Sequence, residues 1–416
     1  MQRDNFTLSA VTQVAGHLLD NPPVVLPDST NYQVLEVFTS HEGLANLPVV
    51  RDGQPLGIIN RNHFMSMLAR PFHREIFGRK PCTAFMDTNP LVVDYHLPLT
   101  ELSFMALQRG DKVLSDGFLI TVDGAYAGVG QGVSLMQALA DQQAEKHRQM
   151  MDSIHYASVI QQSFLQSSRR DMAACLQDYF MVWEPRDVVG GDYYYFVKRD
   201  DGFFVAVIDC TGHGVPGAFM TLIMASALKQ VLGSHDLHDP AALLGAINRQ
   251  VKESLGQLAD HERHPELHVE VRSDDGMDCA FCWYDYASHT LTFAGAKTPI
   301  FVLPPKGDEV DVVDGNKKGV GYVSTPLDYQ WDNRTLKLKP GSRLYISTDG
   351  IIDQIGGAKR ICFGKKRFKE QILKHAHLPM AQQQQALLDA FHHWQGENSR
   401  RDDVSLFGVH LKETRP

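Results

Sequence analysis

The sequence predicts an α+β protein with two folded parts joined by a long helix. The chain has 416 residues, whereas a single domain usually has about 100–200. The first third contains an internal repeat, and beyond Met181 short apolar strands alternate with helices. We therefore expect a module that contains the repeat over residues 1–140, a helical linker over 141–174 and a second domain over 175–416.

Composition and charge limit the possible functions. Hydrophobic residues make up 43% of the chain and charged residues 21%, as in soluble globular proteins. The net charge of -9 argues against nucleic-acid binding, which needs a clustered basic face. The first residues are polar and no apolar stretch reaches about 18 residues. The sequence therefore predicts a cytoplasmic protein with no membrane partner.

Cysteine and histidine spacings give two weak metal signals. Cys279 and Cys282 have a C-x-x-C spacing but lie in a strand-like run, where residues three apart face opposite sides. We expect them to be buried, reduced thiols. His261, His264 and His268 have helical spacing, but Pro265 interrupts them, so we expect a loop and not a zinc site.

The N-terminal third repeats one unit. Asn-Pro-Pro-Val-Val at 21–25 returns as Asn-Pro-Leu-Val-Val at 89–93. A strand-turn-strand pattern with an Asp-Gly turn occurs at 48–59 and again at 119–129. Each copy predicts a short strand, a helix, a hairpin and a closing helix.

This repeat resembles the tandem cystathionine-β-synthase (CBS) domain pair over residues 5–140. The resemblance implies a regulatory module whose cleft binds adenine nucleotides in many relatives. Those relatives have Thr and Asp after the second hairpin strand, where this chain has Asn60 and His63 in one copy and Gln131 and Ser134 in the other. The difference puts nucleotide binding in doubt, and a dimerisation or partner-docking platform is at least as well supported.

The linker is predicted to be a long helix. Residues 134–166 contain no proline or glycine, and apolar residues recur at helical spacing. The apolar stripe is shorter than the three or four heptads of a coiled coil. Helical dimerisation and packing on the chain's own second domain both remain open.

Acidic residues stand at the ends of several predicted strands of the second domain. Residues 193–197 and 203–208 alternate as a hairpin, which places Asp192 and Asp209 at the same end of a sheet. Each lies near glycines that permit close approach of another group. Asp349 follows a third strand, and an acidic pair that includes Asp402 opens the last one. Carboxylates gathered in this way predict a site for a hard cation.

In order and spacing, these motifs resemble the PPM family of metal-dependent protein serine/threonine phosphatases, in its SpoIIE-like bacterial branch. The resemblance covers residues 175–412 and includes Asp278 and the run Phe293-Ala294-Gly295-Ala296. It implies an α-β-β-α sandwich, two antiparallel sheets between layers of helices. It also implies a centre of two Mg²⁺ or Mn²⁺ ions held by oxygen ligands.

The resemblance also implies roles for particular residues. Asp209 would bridge the two metal ions, and the carbonyl of Cys210 would complete one of them. Asp349 and Asp402 would hold the other ion, and Asp192 would act directly or through water. His213 is the nearest candidate general acid, although a metal-bound water or a helix-capping role for His213 is an alternative. Asp278 would hold a third metal ion or orient the substrate.

We therefore expect a phosphatase that hydrolyses phosphoserine or phosphothreonine with a metal-activated water. The branch implies a small STAS-like or anti-sigma-antagonist-type phosphoprotein as substrate, an opposing kinase, and control through the CBS-like module. We also expect a homodimer. The alternatives are a non-catalytic phosphoprotein-binding scaffold and a metallohydrolase of a small phosphate ester.

Overall fold

The computed structural model describes residues 13–257 and 274–412. The chain divides into two compact units, one up to Met150 and one from Met151 onward. The histidines His261, His264 and His268 lie outside the described residues. The division between the units falls within a long helix.

The elements of the first unit follow the predicted repeat. Its strands are β1 (Asn46–Arg51), β2 (Gln54–Asn60), β3 (Val92–Asp94), β4 (Phe118–Val122) and β5 (Ala125–Gly130). Its helices are α1 (Asn31–Ser40), α2 (Arg61–Leu68), α3 (His73–Phe77), α4 (Leu99–Arg109) and α5 (Asp111–Asp116). The long helix α6 (Gly132–Phe164) begins in this unit and continues into the second.

The two hairpins of the first unit confirm the internal repeat. β1 pairs antiparallel with β2, and β4 pairs antiparallel with β5. Each turn has an Asp-Gly pair with positive φ at both residues, at 52–53 and at 123–124. This is the backbone that a tight two-residue hairpin requires. In each copy a short extended segment also runs parallel to the first hairpin strand, Val25 beside Val49 and β3 beside β4.

Asn60 has a structural role at one of the positions that differ from nucleotide-binding relatives. Its Oδ1 accepts the His63 N–H at 3.0 Å, which caps the start of α2. Its Nδ2 donates to Asn46 Oδ1 at 3.2 Å and to the Ser115 carbonyl at 3.1 Å. The Asn60 amide therefore joins the two copies of the repeat.

The second unit begins with the end of α6 and contains two five-stranded sheets. The first sheet has the order β13-β10-β9-β8-β7 and the second β12-β11-β14-β17-β6, and the strand pairs are antiparallel. The strands of the first sheet are β7 (Asp192–Lys198), β8 (Gly202–Cys210), β9 (Met277–Asp285), β10 (Thr290–Ala296) and β13 (Arg334–Lys337). Those of the second are β6 (Tyr179–Glu184), β11 (Ile300–Leu303), β12 (Asp311–Val313), β14 (Arg343–Ser347) and β17 (Val404–His410). The hairpin predicted from alternation at residues 193–208 is β7 and β8.

Helices cover the outer faces of the two sheets. The helices of this unit are α7 (Gln166–Cys175), α8 (Gly214–Leu232), α9 (Pro240–Ser254), α10 (Asp349–Ile352), α11 (Gly364–His375) and α12 (Met380–Gln395), and a short pair β15 (Ile355–Gly356) and β16 (Ile361–Cys362) lies between α10 and α11. α8 and α9 pack on the first sheet, and α12 packs on the second. Along β11, Ile300 and Val302 join the core of the first sheet, whereas Phe301 and Leu303 join the core of α11 and α12. This alternation confirms the α-β-β-α sandwich.

The second unit contains a long apolar helix, α8. Among the described residues, α8 is the one helix long and apolar enough to cross a membrane. Met224 and Leu228 are fully buried in the core, so α8 is a core helix.

The helix α9 ends at Ser254, because the chain turns at Gly256 with φ +66°.

Candidate metal centre and active site

Three carboxylates lie side by side across the first sheet. Asp192 on β7 is directly opposite Asp209 on β8, and Asp209 is directly opposite Asp278 on β9. Directly opposed residues in an antiparallel sheet point to the same face. The sheet register therefore forms a row of three acids from segments that are up to 86 residues apart in sequence.

The second sheet contributes Asp349 beside Asp402. β14 ends at Ser347, and Asp349 opens the short helix α10. A Cβ atom at position 350 would lie 1.8 Å from the carbonyl oxygen of Asp403, so only glycine permits this approach. The Asp-Gly motif thus combines an acid with the small residue that brings it to the acidic pair.

Asp403, the second acid of that pair, has a structural role. Its Oδ1 accepts the N–H of Arg186 and its Oδ2 accepts the N–H of Gly191, both at 2.6 Å. The Asp403 side chain is buried, and its hydrogen bond to Gly191 holds the Gly-Gly loop that precedes Asp192 in place. Asp402 remains the member of the pair that is available as a ligand.

The carboxylates influence one another electrostatically. Burial raises the pKa of Asp209 well above its ordinary value. Neighbouring charges add to the rise and are, in decreasing order of effect, those of Asp192, Asp349, Asp402 and Asp278. Loss of hydration and then the charges of Asp402 and Asp353 raise the pKa of Asp349 to about 6. The four carboxylates that affect Asp209 are therefore gathered around it.

Asp192 is held in a fixed orientation. It is 2% exposed, and burial, followed by the charge of Asp403, raises its pKa well above the ordinary value. The Thr348 hydroxyl donates a hydrogen bond of 2.9 Å to its Oδ2 and accepts the Ser405 N–H at 3.0 Å. One hydroxyl thus ties the first sheet to two strand ends of the second.

The loop after β8 approaches the Gly-Gly segment closely. The Cys210 N–H donates to the Gly191 carbonyl at 3.1 Å. A Cβ at position 191 would lie 2.4 Å from the Gly212 carbonyl oxygen and 2.8 Å from that of Cys210. Glycine at 191 therefore keeps free the space beside the Cys210 carbonyl. The Cys210 side chain itself is buried.

His213 lies at the start of α8, three residues after Cys210. It occupies the N-cap position of α8, but its side chain makes no capping hydrogen bond. His213 therefore lies at the N-cap without capping the helix through its side chain. Its Nδ1 instead lies 3.1 Å from Oδ2 of Asp187, and the imidazole is about half exposed.

The donor set suits a hard divalent cation. Within residues 13–257 and 274–412, no three His, Cys, Asp or Glu side chains form a closed metal cage by themselves. Mg²⁺ rarely has such a cage, because it keeps several waters and takes only one or two carboxylates. Asp209, its neighbouring acids and the Cys210 carbonyl offer oxygen atoms alone, which fits that preference.

Three side chains near the proposed metal centre were not predicted from the sequence. Gln161 on α6 is buried; its Nε2 donates to the Gly190 carbonyl at 2.6 Å and to Thr221 Oγ1 at 2.9 Å. The ammonium of Lys297 lies 3.0 Å from Oδ1 of Asp278. Thr348 is the third. Only Thr348, next to Asp349 in the Ser-Thr-Asp-Gly motif, had a local signal in the sequence.

A sandwich of two antiparallel sheets with acids at its strand ends defines the class of PP2C-type phosphatases. Residues 199–412 match the sequence profile of stage II sporulation protein E (SpoIIE), and residues 14–70 match the CBS domain. The chain belongs to the SpoIIE family of PP2C-type phosphatases and has an N-terminal CBS domain.

Several known proteins are similar to this chain. The chain is 24% identical over 283 residues to the phosphoserine phosphatase RsbU of Bacillus subtilis, covering 68% of this chain and 75% of RsbU. It is 34% identical to the SiaA-PP2C domain of Pseudomonas aeruginosa, with a TM-score of 0.56, covering 65% of this chain and all of that domain. A structure of the phosphatase domain with a fragment of the regulatory domain of SpoIIE from Bacillus subtilis is 17% identical, with a TM-score of 0.44, over 57% of this chain and 64% of that one.

Proposed function

We propose that the protein is a Mg²⁺- or Mn²⁺-dependent phosphatase that removes phosphate from serine or threonine of a small regulatory phosphoprotein. The observation that supports this most strongly is the row of Asp192, Asp209 and Asp278 across three strands, completed by Asp349 and Asp402 from the other sheet. RsbU, to which the chain is similar, is a phosphoserine phosphatase.

The proposed ligands divide between two cations. Asp209 lies between the others and would contact both, with the Cys210 carbonyl on one ion and Asp349 and Asp402 on the other. Asp192, held by Thr348, would reach an ion directly or through water. Two cations would neutralise the phosphate dianion and lower the pKa of water to supply a nucleophile at neutral pH.

His213 is the proposed proton donor to the departing serine or threonine oxygen. It is about half exposed at the start of α8, and Asp187 at 3.1 Å from Nδ1 orients its ring. In the doubly protonated ring, Nδ1–H would face Asp187 and Nε2–H would be the proton donated to the departing oxygen.

The surroundings of the site favour a protein substrate over a small ester. Val215 and Phe219, in the first turns of α8 after His213, are 41% and 63% exposed. Apolar side chains exposed beside a catalytic centre offer a contact area that a small phosphate ester cannot use. We propose a STAS-like or anti-sigma-antagonist-type protein, phosphorylated by an opposing kinase, as the substrate in the cytoplasm.

Control by the N-terminal module would pass through α6. The side-chain amide of Gln161 on this helix bonds to both backbone groups of Gly190. Its Nε2 donates to the Gly190 carbonyl, and its Oε1 accepts the Gly190 N–H at 3.3 Å. The same amide reaches Thr221 on α8. A shift or rotation of α6 would thus move the Gly-Gly loop that precedes Asp192. Gln161→Ala should uncouple the module from the site, whereas Gln162→Ala, at an exposed neighbour, should not.

The exposed face of α6 supports the proposed homodimer. Tyr156, Val159 and Ile160 are 69%, 64% and 39% exposed, and their spacing of three and four residues puts them on one helix face. Light scattering of the full chain should give a dimer, and Val159→Glu should weaken it. A full chain that is monomeric at assay concentrations would contradict this part of the proposal.

Phosphate release tests the function. With Mn²⁺, the protein should release phosphate from a serine-phosphorylated protein, and Asp209→Asn should reduce the rate by more than about 100-fold, beyond the loss typical of residues that only support a ligand. Phosphate release no faster than the uncatalysed background with both proteins would favour the phosphoprotein-binding scaffold. Turnover of para-nitrophenyl phosphate alone would favour a small-ester hydrolase.

A further inference from the structure

Asp278 differs from the other acids of the centre because it already has a cationic partner. The Lys297 ammonium lies 3.0 Å from its Oδ1. Among the ion pairs formed within the described parts of the chain, none involves Asp192, Asp209, Asp349 or Asp402. The row of acids across the first sheet therefore ends in a paired carboxylate.

The backbone holds Lys297 in an unusual conformation. Its φ is +61°, in the left-handed region that glycine adopts more readily. Its N–H donates to the Asn316 carbonyl at 2.8 Å, and the next residue, Thr298, donates to the Ala296 carbonyl at 2.8 Å. The left-handed backbone and these two hydrogen bonds fix the turn from which the Lys297 side chain extends.

One side of Asp278 already has a side-chain cation beside it, although the Lys297 side chain is 42% exposed. The Lys297 ammonium lies 4.2 Å from the centre of the Tyr322 ring, in a cation–π contact. A Cβ at position 319 would come within 2.6 Å of Asp278 Oδ1, so only glycine fits at this position beside Asp278. A divalent ion that bound here would have to displace an ammonium held by a carboxylate, an aromatic ring and a fixed turn.

We propose that Lys297 supplies a cation that takes the place of a third metal ion at Asp278, so that the centre binds two divalent ions and not three. The inference rests on the proposed metal centre. A fixed ammonium neutralises the third acid of the row, and its charge repels a further dication at this distance. Lys297 is thus a positioning residue that sets how many ions the centre takes.

Counting bound Mn²⁺ tests this inference. Free Mn²⁺ is measured by electron paramagnetic resonance while the metal is titrated into the full chain, and thermal melting checks that each variant folds. The wild type should bind two ions. Lys297→Met, which removes the charge but keeps the length of the side chain, should bind a third, weaker ion, and adding Asp278→Asn should restore two.

Two control variants separate charge from backbone effects. Lys297→Arg keeps a cation beside Asp278 and should bind two ions. Lys306→Met replaces another lysine with positive φ, at an exposed turn, and should also bind two. Three ions in the wild type, or two in Lys297→Met, would overturn the inference and leave the proposed function intact. A wild type that binds no Mn²⁺ would overturn both.

Discussion

The hydroxyl of Thr348 donates a hydrogen bond of 2.9 Å to Oδ2 of Asp192, a residue 156 positions earlier in the chain. The bond joins the end of β14 in one sheet to the start of β7 in the other. The acids of the two sheets can act on common ions only if the sheets keep a fixed relation at this edge. Thr348 is one of the groups that maintain it.

Loss of this hydroxyl should weaken the centre without unfolding the protein. Thr348→Val keeps the shape of the side chain but removes the donor to Asp192 and the acceptor for the Ser405 N–H. We expect a decrease of about 10–100-fold in Mn²⁺ affinity or activity, as for other groups that orient a metal ligand. Thr335→Val, at an exposed strand position, is the control and should change neither. Isothermal titration with Mn²⁺ would measure the effect, and an unchanged affinity would assign Thr348 to folding alone.

Mn²⁺ binding should weaken as the pH falls through 6. The pKa of Asp349 in the metal-free protein is raised to about 6, so protons and metal ions compete for this carboxylate near that pH. Affinity should change little above about pH 7 and fall progressively below about pH 6, with proton release on binding near that pH. Titration calorimetry in buffers of different ionisation enthalpy measures the released protons. Affinity that is independent of pH between 5 and 7 would show that Asp349 is not a ligand.

Removing a central charge should stabilise the metal-free protein. Burial and then the neighbouring carboxylates raise the pKa of Asp209, which means that its ionised form is less favourable in the folded state than in the unfolded chain. Asp209→Asn removes that cost, so the metal-free variant should melt at a higher temperature than the wild type. Each kcal/mol corresponds to about 2–4 °C in a domain of this size.

The same variant should lose its response to metal. Mn²⁺ should raise the melting temperature of the wild type, because an ion that binds only the folded state stabilises it, but it should barely change that of Asp209→Asn. Asp200→Asn, in the exposed hairpin turn at the far end of β8, is the matched control and should respond like the wild type. A metal-free Asp209→Asn that melts below the wild type would mean that Asp209 stabilises the fold, against this account.

The exposed start of α8 should affect protein substrates alone. Phe219→Ser should raise KM for a serine-phosphorylated STAS-domain protein several-fold, because a buried aromatic contact contributes about 1 kcal/mol or more to an interface. It should leave kcat and the hydrolysis of para-nitrophenyl phosphate unchanged. Phe104→Ser removes a phenylalanine of similar exposure from the N-terminal unit and should have no effect on either substrate. Equal losses with both substrates would place Phe219 in the catalytic machinery.

Local patterns were sufficient to predict much of this fold. Period-two alternation located the β7–β8 hairpin, and the Asp-Gly pairs at 52–53 and 123–124 located two tight turns, since both signals depend on neighbours in sequence. The carboxylates were found because each adjoins a glycine or a strand end. The alignment of Asp278 with Asp209 depends on sheet register, which the sequence does not state.

The contacts of Asp403, Gln161 and Lys297 could not be predicted, because they also depend on how distant segments pack together. Asp402 and Asp403 are adjacent and chemically identical, and only packing decides that Asp403 faces the Gly191 N–H. Gln161 lies on a helix among similar glutamines, and Lys297 lies in a turn where its left-handed backbone has no signature in the residue type. Each contact joins segments that are distant in sequence, so local preference contains no information about it.

Anomalous diffraction from crystals grown with Mn²⁺ would test the central claim most directly. We expect two anomalous peaks on either side of the Asp209 carboxylate. One should lie near the Cys210 carbonyl and one near Asp349 and Asp402, with no third peak beside Asp278. Crystals of Asp209→Asn should lose both peaks. Saturating Mn²⁺ with no peak at Asp209, or peaks that persist in the variant, would contradict the proposed centre.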